Sequence, residues 1–379
     1  FRYFFLNKNC SYQLLPLLEA ARPDLGLTPS QALWVIPSDT LRAVQAVPGL
    51  VSSLRYRHSQ STKMRLRRTL LAKEEKRLAQ DLIHGDLDSA LASLEALPAA
   101  RAALSLDAAS DYLLFLTGPR QDPGEDFKRR EAAILGRRNR LSEPVASLPH
   151  PPWAVPPHEG HATARVGLGT GFRDGYLFQE VGLRPALHDL LDPPHGYSAD
   201  GQLEMFHARI RHERTAGRTY LQELTLLDIT SISPWDAWVR PLSWKVRTGV
   251  ETPDGLDAEP WDSPVYGSSA GAGRAFGTSL WRDELWYALA AADAGFGSVF
   301  RDGYRLGAGL DGGLRIGIAP RWSGLIEAKL RRYPGGDPGS HWKLRFGQDV
   351  RLSDGFSLRI ELGIHEQKQD AAVTLHRFL

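Results

Sequence analysis

The sequence predicts an α+β chain of more than one domain, helical at first and then an antiparallel membrane β-barrel of about 12 strands. Three observations carry this. Apolar residues recur at helical spacing up to about residue 150 and at every second position beyond it. The alternating segments are about ten residues long or more, with aliphatic residues on one face and Arg, Asp, Glu and Gly on the other. No run of about 18 apolar residues occurs, so any membrane crossing must be made by strands.

The helical part begins at Asn9, a good N-cap, with Cys10 opening a helix that runs through Leu14 to Ala21. Leu14, Leu15, Leu17 and Leu18 form its apolar stripe, and Pro16 is expected to kink or shorten it. From Lys63 to Leu94 leucine and alanine mix with Lys, Arg and Glu. Within "MRLRRTLLAKEEKRLAQDL", Leu66, Leu70, Leu71 and Leu78 share one side. A solvated amphipathic helix packed on its neighbours explains this better than a nucleic-acid contact or a basic helix lying on a membrane. The balance of 46 basic against 44 acidic residues agrees, since a formal charge of +2 leaves no broad footprint for nucleic acid. The expected division is 1–58, a helical segment 59–148, a Pro-rich linker 149–160 containing the turn-former Gly160, and a barrel 161–379.

Three barrel segments alternate most regularly. In "WKLRFGQDVRL", Trp342, Leu344, Phe346, Val350 and Leu352 oppose Lys343, Arg345, Asp349 and Arg351. In "FSLRIELGI", Phe356, Leu358, Ile360, Leu362 and Ile364 oppose Ser357, Arg359, Glu361 and Gly363. From Tyr304 to Ile318, Leu306, Leu310, Leu314 and Ile316 oppose Arg305, Asp311 and Arg315. Less regular strands are expected to start near Ala162, Tyr176, Gln202, Tyr220, Trp238, Val265, Leu285, Leu325 and Ala372. Trp238, Trp244, Trp281, Trp322, Tyr333, Trp342 and Phe378 lie near strand ends, as interfacial girdles do. Short turns such as "RLSDGF" and long ones such as "ETPDGLDAEPWDSP" suggest a short-turn rim and a long-loop rim. A soluble sandwich is the alternative; the strand length and the charged reverse face favour the bilayer barrel.

Cys10 is the only cysteine, so it has no internal disulfide partner, and no CxxC zinc pattern exists. A buried cysteine is ordinarily a small apolar filler. At a helix start, however, backbone N–H groups and the helix dipole stabilise a thiolate, which makes Cys10 a candidate nucleophile. It needs a base, and none of the twelve histidines stands in a recognisable catalytic motif near it. In "RPALHDLLDPPHGY", Arg184, His188, Asp189, Asp192 and His195 could pass for a metal or acid/base site. A network in which Asp189 and Asp192 accept bonds from Arg184 and nearby backbone is the simpler reading. His158 and His161 could likewise bind metal, with exposed turn histidines as the plainer explanation. Gly267, Gly271, Gly273 and Gly277 read as strand glycines, because no GK[ST] follows them.

"YFFLNKNCSYQLLPLLEAARP" followed by "VIPSDTLRAV" resembles the end of the Lnb N-terminal periplasmic domain, a bacterial family. "HATARVGLGTG", "GLRPALHDLLDPPHGY" and "LLDITSISPWDAWVRPLSWKVRTG" resemble its associated C-terminal domain, so the likeness covers nearly the whole chain. That family is similar to circularly permuted papain-like enzymes, including lecithin retinol acyltransferase-like proteins, in which a histidine on a strand precedes an Asn-Cys at a helix start. The resemblance implies that residues 1–58 are the C-terminal part of a papain-like periplasmic domain, a helical remnant ahead of an outer-membrane barrel. It implies Cys10 as nucleophile and Asn9 as the residue setting the helix entry, and it assigns the histidine, in an FGH-type motif, to a position before Phe1. The implied reaction moves an acyl chain from a phospholipid to the N-terminal amine of a lipoprotein through a Cys thioester. Its partners are a phospholipid donor, a lipoprotein acceptor and membrane lipid around the barrel, with no nucleic acid, cofactor or metal. The alternative is an outer-membrane barrel with a periplasmic binding or structural domain in which Cys10 merely packs.

Overall fold

A computed structural model describes residues 4, 7–28, 34–55, 57–118, 122, 124–149, 155–252, 264–280, 283–366 and 368–379. The chain forms two compact units, one of Phe1–Val51 with Val155–Leu379 and one of Ser52–Ala154.

The first unit opens with two helices, α1 (Cys10–Ala21) and α2 (Pro37–Gln45). Pro16 lies inside α1 without ending it, at the loss of one backbone hydrogen bond. The expected leucine stripe divides: Leu15 is buried, whereas Leu14 and Leu17 are exposed. Pro37 begins α2, where its missing N–H goes unneeded.

The second unit holds α3 (Gln60–Thr69), α4 (Lys73–His84), α5 (Leu87–Ser93), α6 (Ala99–Thr117) and α7 (Glu125–Asn139). The charged run read as one continuous helix is broken. Between α3 and α4 the Glu75 carboxylate turns back to accept the Ala72 N–H at 2.7 Å, which caps a new start. The break leaves Leu71 buried and Leu70 exposed, so these leucines do not share a face. Alanine-rich α6 is the core element, burying Ala102, Ala103, Leu106, Ala108 and Ala109. Each fully buried leucine here stabilises the unit by roughly 1.5–3 kcal/mol. The few charges inside are paired: Arg67 with Asp111 at 2.6 Å and Arg138 with Asp107 at 2.8 Å. Glu75 is held below the usual carboxylate range by its bond from Arg101.

Thirteen strands follow in the first unit. They are β1 (Arg165–Arg173), β2 (Tyr176–Arg184), β3 (Ala186–His188), β4 (Gly201–Glu213), β5 (Arg218–Ser231), β6 (Ser243–Glu251) and β7 (Val265–Thr278). The series continues with β8 (Glu284–Phe296), β9 (Tyr304–Ala319), β10 (Trp322–Gly336), β11 (Gly339–Ser353), β12 (Phe356–His365) and β13 (Lys368–Phe378). Each neighbour in sequence pairs antiparallel from β4 to β13, β13 pairs β1, β1 pairs β2, and β2 pairs β4, so twelve strands close a barrel. Three-residue β3 pairs only β4 and belongs to an inserted segment. The expected twelve are these, each beginning within a few residues of its expected start; the widest gap, Trp238 against Ser243, arises because Trp238 is buried in a loop.

The barrel is inside out relative to a soluble core. Leu168, Leu310, Leu330, Ile360, Leu362 and Leu375 face outward, and Arg211, Asp349, Ser357 and Arg359 face inward. A closed ladder that leaves no unpaired edge and an aliphatic outer band are what a bilayer requires of strands. Exposed aromatics mark both interfaces: Trp244, Phe276, Trp286, Trp322 and Phe356 near the rim where β1 starts, and Phe172, Tyr176, Tyr266, Phe296, Tyr304 and Trp342 near the other. Trp244, Trp322 and Trp342 therefore serve as expected. Tyr333 and Phe378 are buried instead, and Trp281 lies outside the described residues. The rims do not sort into short and long as expected, because the "RLSDGF" turn shares its rim with the long connections 185–200 and 232–242.

Candidate functional site

The thiol and its helix come first. Cys10 is exposed and is the first residue of α1. Asn9 adopts extended backbone and caps the helix: its Oδ1 accepts from the Tyr12 N–H at 3.2 Å and from the Ser11 hydroxyl at 2.7 Å. Its Nδ2 donates to the Val35 carbonyl at 2.8 Å, which ties the start of α1 to the residues leading into α2. Asn9 thus satisfies an orphan N–H of the helix and fixes its entry from one side chain. Downstream on the Cys10 side of α1 lie Leu14 and Leu17, 58% and 66% exposed, at the i+4 and i+7 positions.

From α2 the connection passes to the barrel rim. Asp39 pairs with Arg42 and accepts from the Thr163 hydroxyl. The Arg42 guanidinium donates to four carbonyls, those of Pro157 (3.0 Å), His158 (3.1 Å), Gly160 (3.3 Å) and His161 (2.7 Å). The last residues of the Pro-rich segment are therefore a gripped turn. Gly160 is required there, because a Cβ would lie 2.5 Å from the His195 carbonyl oxygen; Gly196, at φ +81°, presses on it from the other side.

Behind this turn the segment 185–200 folds into the barrel and plugs it at this rim. Leu190 and Leu191 pack in a buried cluster with Ile232, Leu285, Leu289 and Leu325, and Arg315 donates to the Leu190 carbonyl at 3.2 Å. Three guanidinium groups hold two carboxylates. Asp189 accepts from Arg165 at 2.9 Å, Arg184 at 3.1 Å and Arg359 at 2.7 Å. Asp192 accepts from Arg165 at 2.6 Å, Arg184 at 2.5 Å and Arg359 at 2.8 Å. The expected network among Arg184, Asp189, Asp192 and backbone is present, with the Leu191 and Asp192 N–H groups also bonding Asp189. Arg165 and Arg359, which the sequence does not single out for this network, complete it; the charged-face position of Arg359 was legible, but the convergence of the two on one loop was not. His195 stands apart, exposed.

His161 is 2% exposed, which overturns the expectation of a solvent-exposed turn histidine; His158 is half-buried and lies 2.9 Å from the Gln45 amide. Burial lowers the His161 pKa to about 4. Its Nδ1 lies 2.7 Å from the Ala162 carbonyl, which accepts the Nδ1 proton and leaves Nε2 to accept the Nδ1 proton of His188 at 3.0 Å. Tyr197 stacks on both rings, at centroid distances of 4.3 and 4.7 Å. The donor atoms of His161, His188 and Asp192 lie within 4.8 Å of one another, a separation that suits a metal ion. Both Asp192 oxygens already accept two protons each, from guanidinium groups and the Asp189 N–H. A cation would have to displace an arginine and the histidine proton, so this cluster satisfies itself as a structural clamp.

Comparison with known proteins adds the following. The Lnb N-terminal periplasmic domain matches residues 1–46, and two domains of unknown function match 54–149 (DUF7842) and 154–378 (DUF7840). No curated protein matches. Among solved structures, the KdgM porin in complex with disordered oligogalacturonate is 8% identical at a TM-score of 0.35, covering 57% of this chain and 99% of that one. The NanC porin is 8% identical at 0.36, covering 56% and 99%. The COG4313 outer membrane channel from Pseudomonas putida F1 is 12% identical at 0.35, covering 62% and 100%. None of these three scores bears on what this chain does. The closed lipid-facing barrel and the periplasmic-domain match make the protein an outer-membrane β-barrel with its N-terminal domain in the periplasm. The DUF7840 match spans more than half of the residues, and the chain belongs to that family.

Proposed function

We propose that the protein is a membrane-anchored thiol acyltransferase in which Cys10 carries an acyl chain from a phospholipid to the N-terminal amine of a lipoprotein. The observation that supports this most is an exposed thiol at the first residue of a capped helix, within the segment that matches the Lnb N-terminal periplasmic domain. The Cys10 sulfur attacks the phospholipid ester carbonyl; the C–O bond breaks, and the lysophospholipid leaves as an alcohol after taking up a proton. The lipoprotein amine then attacks the thioester, the C–S bond breaks, and an amide and the free thiol result. Resemblance assigns the proton shuttle to a histidine in an FGH-type motif. Asn9 is a positioning residue, holding the start of α1 through Tyr12 and Val35. Leu14 and Leu17 prolong the thiol's side of the helix with apolar surface, which suits an acyl chain. The barrel supports the reading physically, since an anchored enzyme meets both lipid substrates at a raised effective concentration.

The test uses the full-length gene and its Cys10→Ala variant in cells that depend on it for lipoprotein N-acylation, reading the mass of N-terminal lipopeptides. One acyl chain fewer in the variant, with the barrel still folded, is the expected result. Unchanged lipopeptides would leave the second reading, a membrane barrel whose periplasmic domain binds or scaffolds and whose Cys10 has no chemical role.

A further inference from the structure

At the rim where β1 starts, the connection 232–242 takes over one edge of β7. β6 pairs β7 only as far as Ser243 opposite Gly273; beyond that, Pro234 bridges Ala275 in parallel and the Trp235 N–H donates to the Ala275 carbonyl at 2.7 Å. The Trp235 ring is thereby set beside the lipid-facing side of β7, where it meets Phe276 edge-on at a centroid distance of 6.0 Å. Arg274 shares that outward face with Ala270, Ala272 and Phe276 and is exposed. Its guanidinium carbon lies 5.4 Å from the Trp235 ring centroid, and that of Arg240, also exposed, lies 5.5 Å from the same centroid.

Each guanidinium is attracted to the ring, but the two repel each other. Among the described residues neither arginine makes an ion pair or a hydrogen bond. The carboxylates nearest them in sequence are engaged elsewhere. Asp236 accepts from the Trp238 and Val239 N–H groups at 2.7 and 2.9 Å, and Asp283 faces Arg315 at 3.7 Å. Glu284 accepts from the Thr278 hydroxyl and the Leu280 N–H at 3.0 Å each. An anion between the two guanidinium groups would turn their repulsion into attraction.

Depth says where that anion comes from. Phe276 and its cross-strand neighbour Trp286 belong to the aromatic girdle, and Arg274 stands one outward position deeper, opposite Ala288. An arginine against hydrocarbon is costly, and its long side chain relieves the cost by reaching back to the headgroup level, where phospholipid phosphates lie.

We propose that Arg240 and Arg274 form a subsite for an anionic phospholipid of the leaflet at this rim, its phosphate held by the two guanidinium groups. Paired guanidinium donors match phosphate oxygens. With no unengaged carboxylate beside them among the described residues, the ammonium of a zwitterionic headgroup finds no partner, so the site favours a lipid of net negative charge. The subsite stands on the barrel alone and holds such a lipid whether or not Cys10 reacts.

The full chain in micelles of an uncharged detergent is titrated with phosphatidylglycerol or with phosphatidylcholine of the same acyl chains, and bound lipid is counted by native mass spectrometry. The native protein should bind its first phosphatidylglycerol more tightly than its first phosphatidylcholine. Arg240→Gln and Arg274→Gln should each weaken phosphatidylglycerol binding about fivefold and phosphatidylcholine binding less. Both side chains are exposed, so each variant should unfold at about the native temperature. The control is Arg332→Gln, which removes an exposed arginine of β10 near the other rim and should leave the affinity unchanged. Equal affinity of the native protein for the two lipids would overturn the proposal. So would an undiminished phosphatidylglycerol affinity in both variants, or the same loss in the control, which would mark a general charge effect.

Discussion

The helical unit and the barrel are built from the same kinds of residue in opposite arrangements. In the helical unit Met64, Leu82 and Leu106 are fully buried and most charges lie outside; in the barrel Arg184 and Asp192 are fully buried while Leu168 and Leu310 are more than half exposed. The difference teaches what each region has for a solvent. Helices in water gain by withdrawing aliphatic side chains. Strands in lipid gain nothing by doing so, and their inward charges are held together by mutual pairing in a narrow lumen. A buried residue in one region is thus held by dispersion and water exclusion, and in the other by geometry-dependent ion pairs.

That contrast can be broken at specific points. Removing a lumen carboxylate should be the most damaging. Asp192→Ala leaves Arg184 buried with one partner fewer and should cost about 3–5 kcal/mol. It should also loosen the plug, giving current steps in a planar bilayer where the native barrel gives none. In the helical unit Leu106→Ala should cost about 2–5 kcal/mol, seen as lost hydrogen-exchange protection in α6. On the lipid face Leu310→Arg, at mid-strand in β9, should cost about 2–4 kcal/mol in lipid vesicles. In soluble terms an exposed leucine replaced by arginine is nearly neutral, so this variant separates the two solvents.

Acid tests the clamp more gently. The His161 pKa in the folded protein, about 4, lies below its ordinary 6.5. Its contribution is full above 6.5 and is lost as pH falls from there toward about 4, because the unfolded chain takes up a proton that the folded chain resists. In His161→Gln the fall in unfolding temperature across that window should shrink. The smallest effect is expected at the helix start: Asn9→Ala should cost about 1 kcal/mol, and it should slow alkylation of Cys10 if the cap is what orients the thiol.

Much of the barrel could be read from residues alone, because alternation along "FSLRIELGI" is a local property and both faces of every strand face a uniform environment. The helix start at Cys10 was legible for the same reason, since Asn9 caps through the Tyr12 N–H three residues away. The plug was not. Asp189 meets Arg359 across 170 residues, and nothing in "HDLLDPP" distinguishes a loop folded into a lumen from one in water. Burial of Tyr333 and Phe378 escaped for a related reason: a strand-end aromatic is ambiguous until the register fixes which face it takes; Trp238 lies in the connection 232–242, which alternation does not describe. His161 was misjudged because nearby Gly160 signals a turn, while its burial depends on Tyr197, His188 and Phe378 arriving from elsewhere.

The most direct measurement is on the thiol itself. Full-length protein is incubated with vesicles of phospholipid bearing labelled acyl chains, and the Cys10 peptide is weighed before and after neutral hydroxylamine. The account predicts one acyl adduct on Cys10, removed by hydroxylamine as a thioester is and absent from Cys10→Ala. An unmodified Cys10 peptide, or the same labelling in the alanine variant, would contradict it.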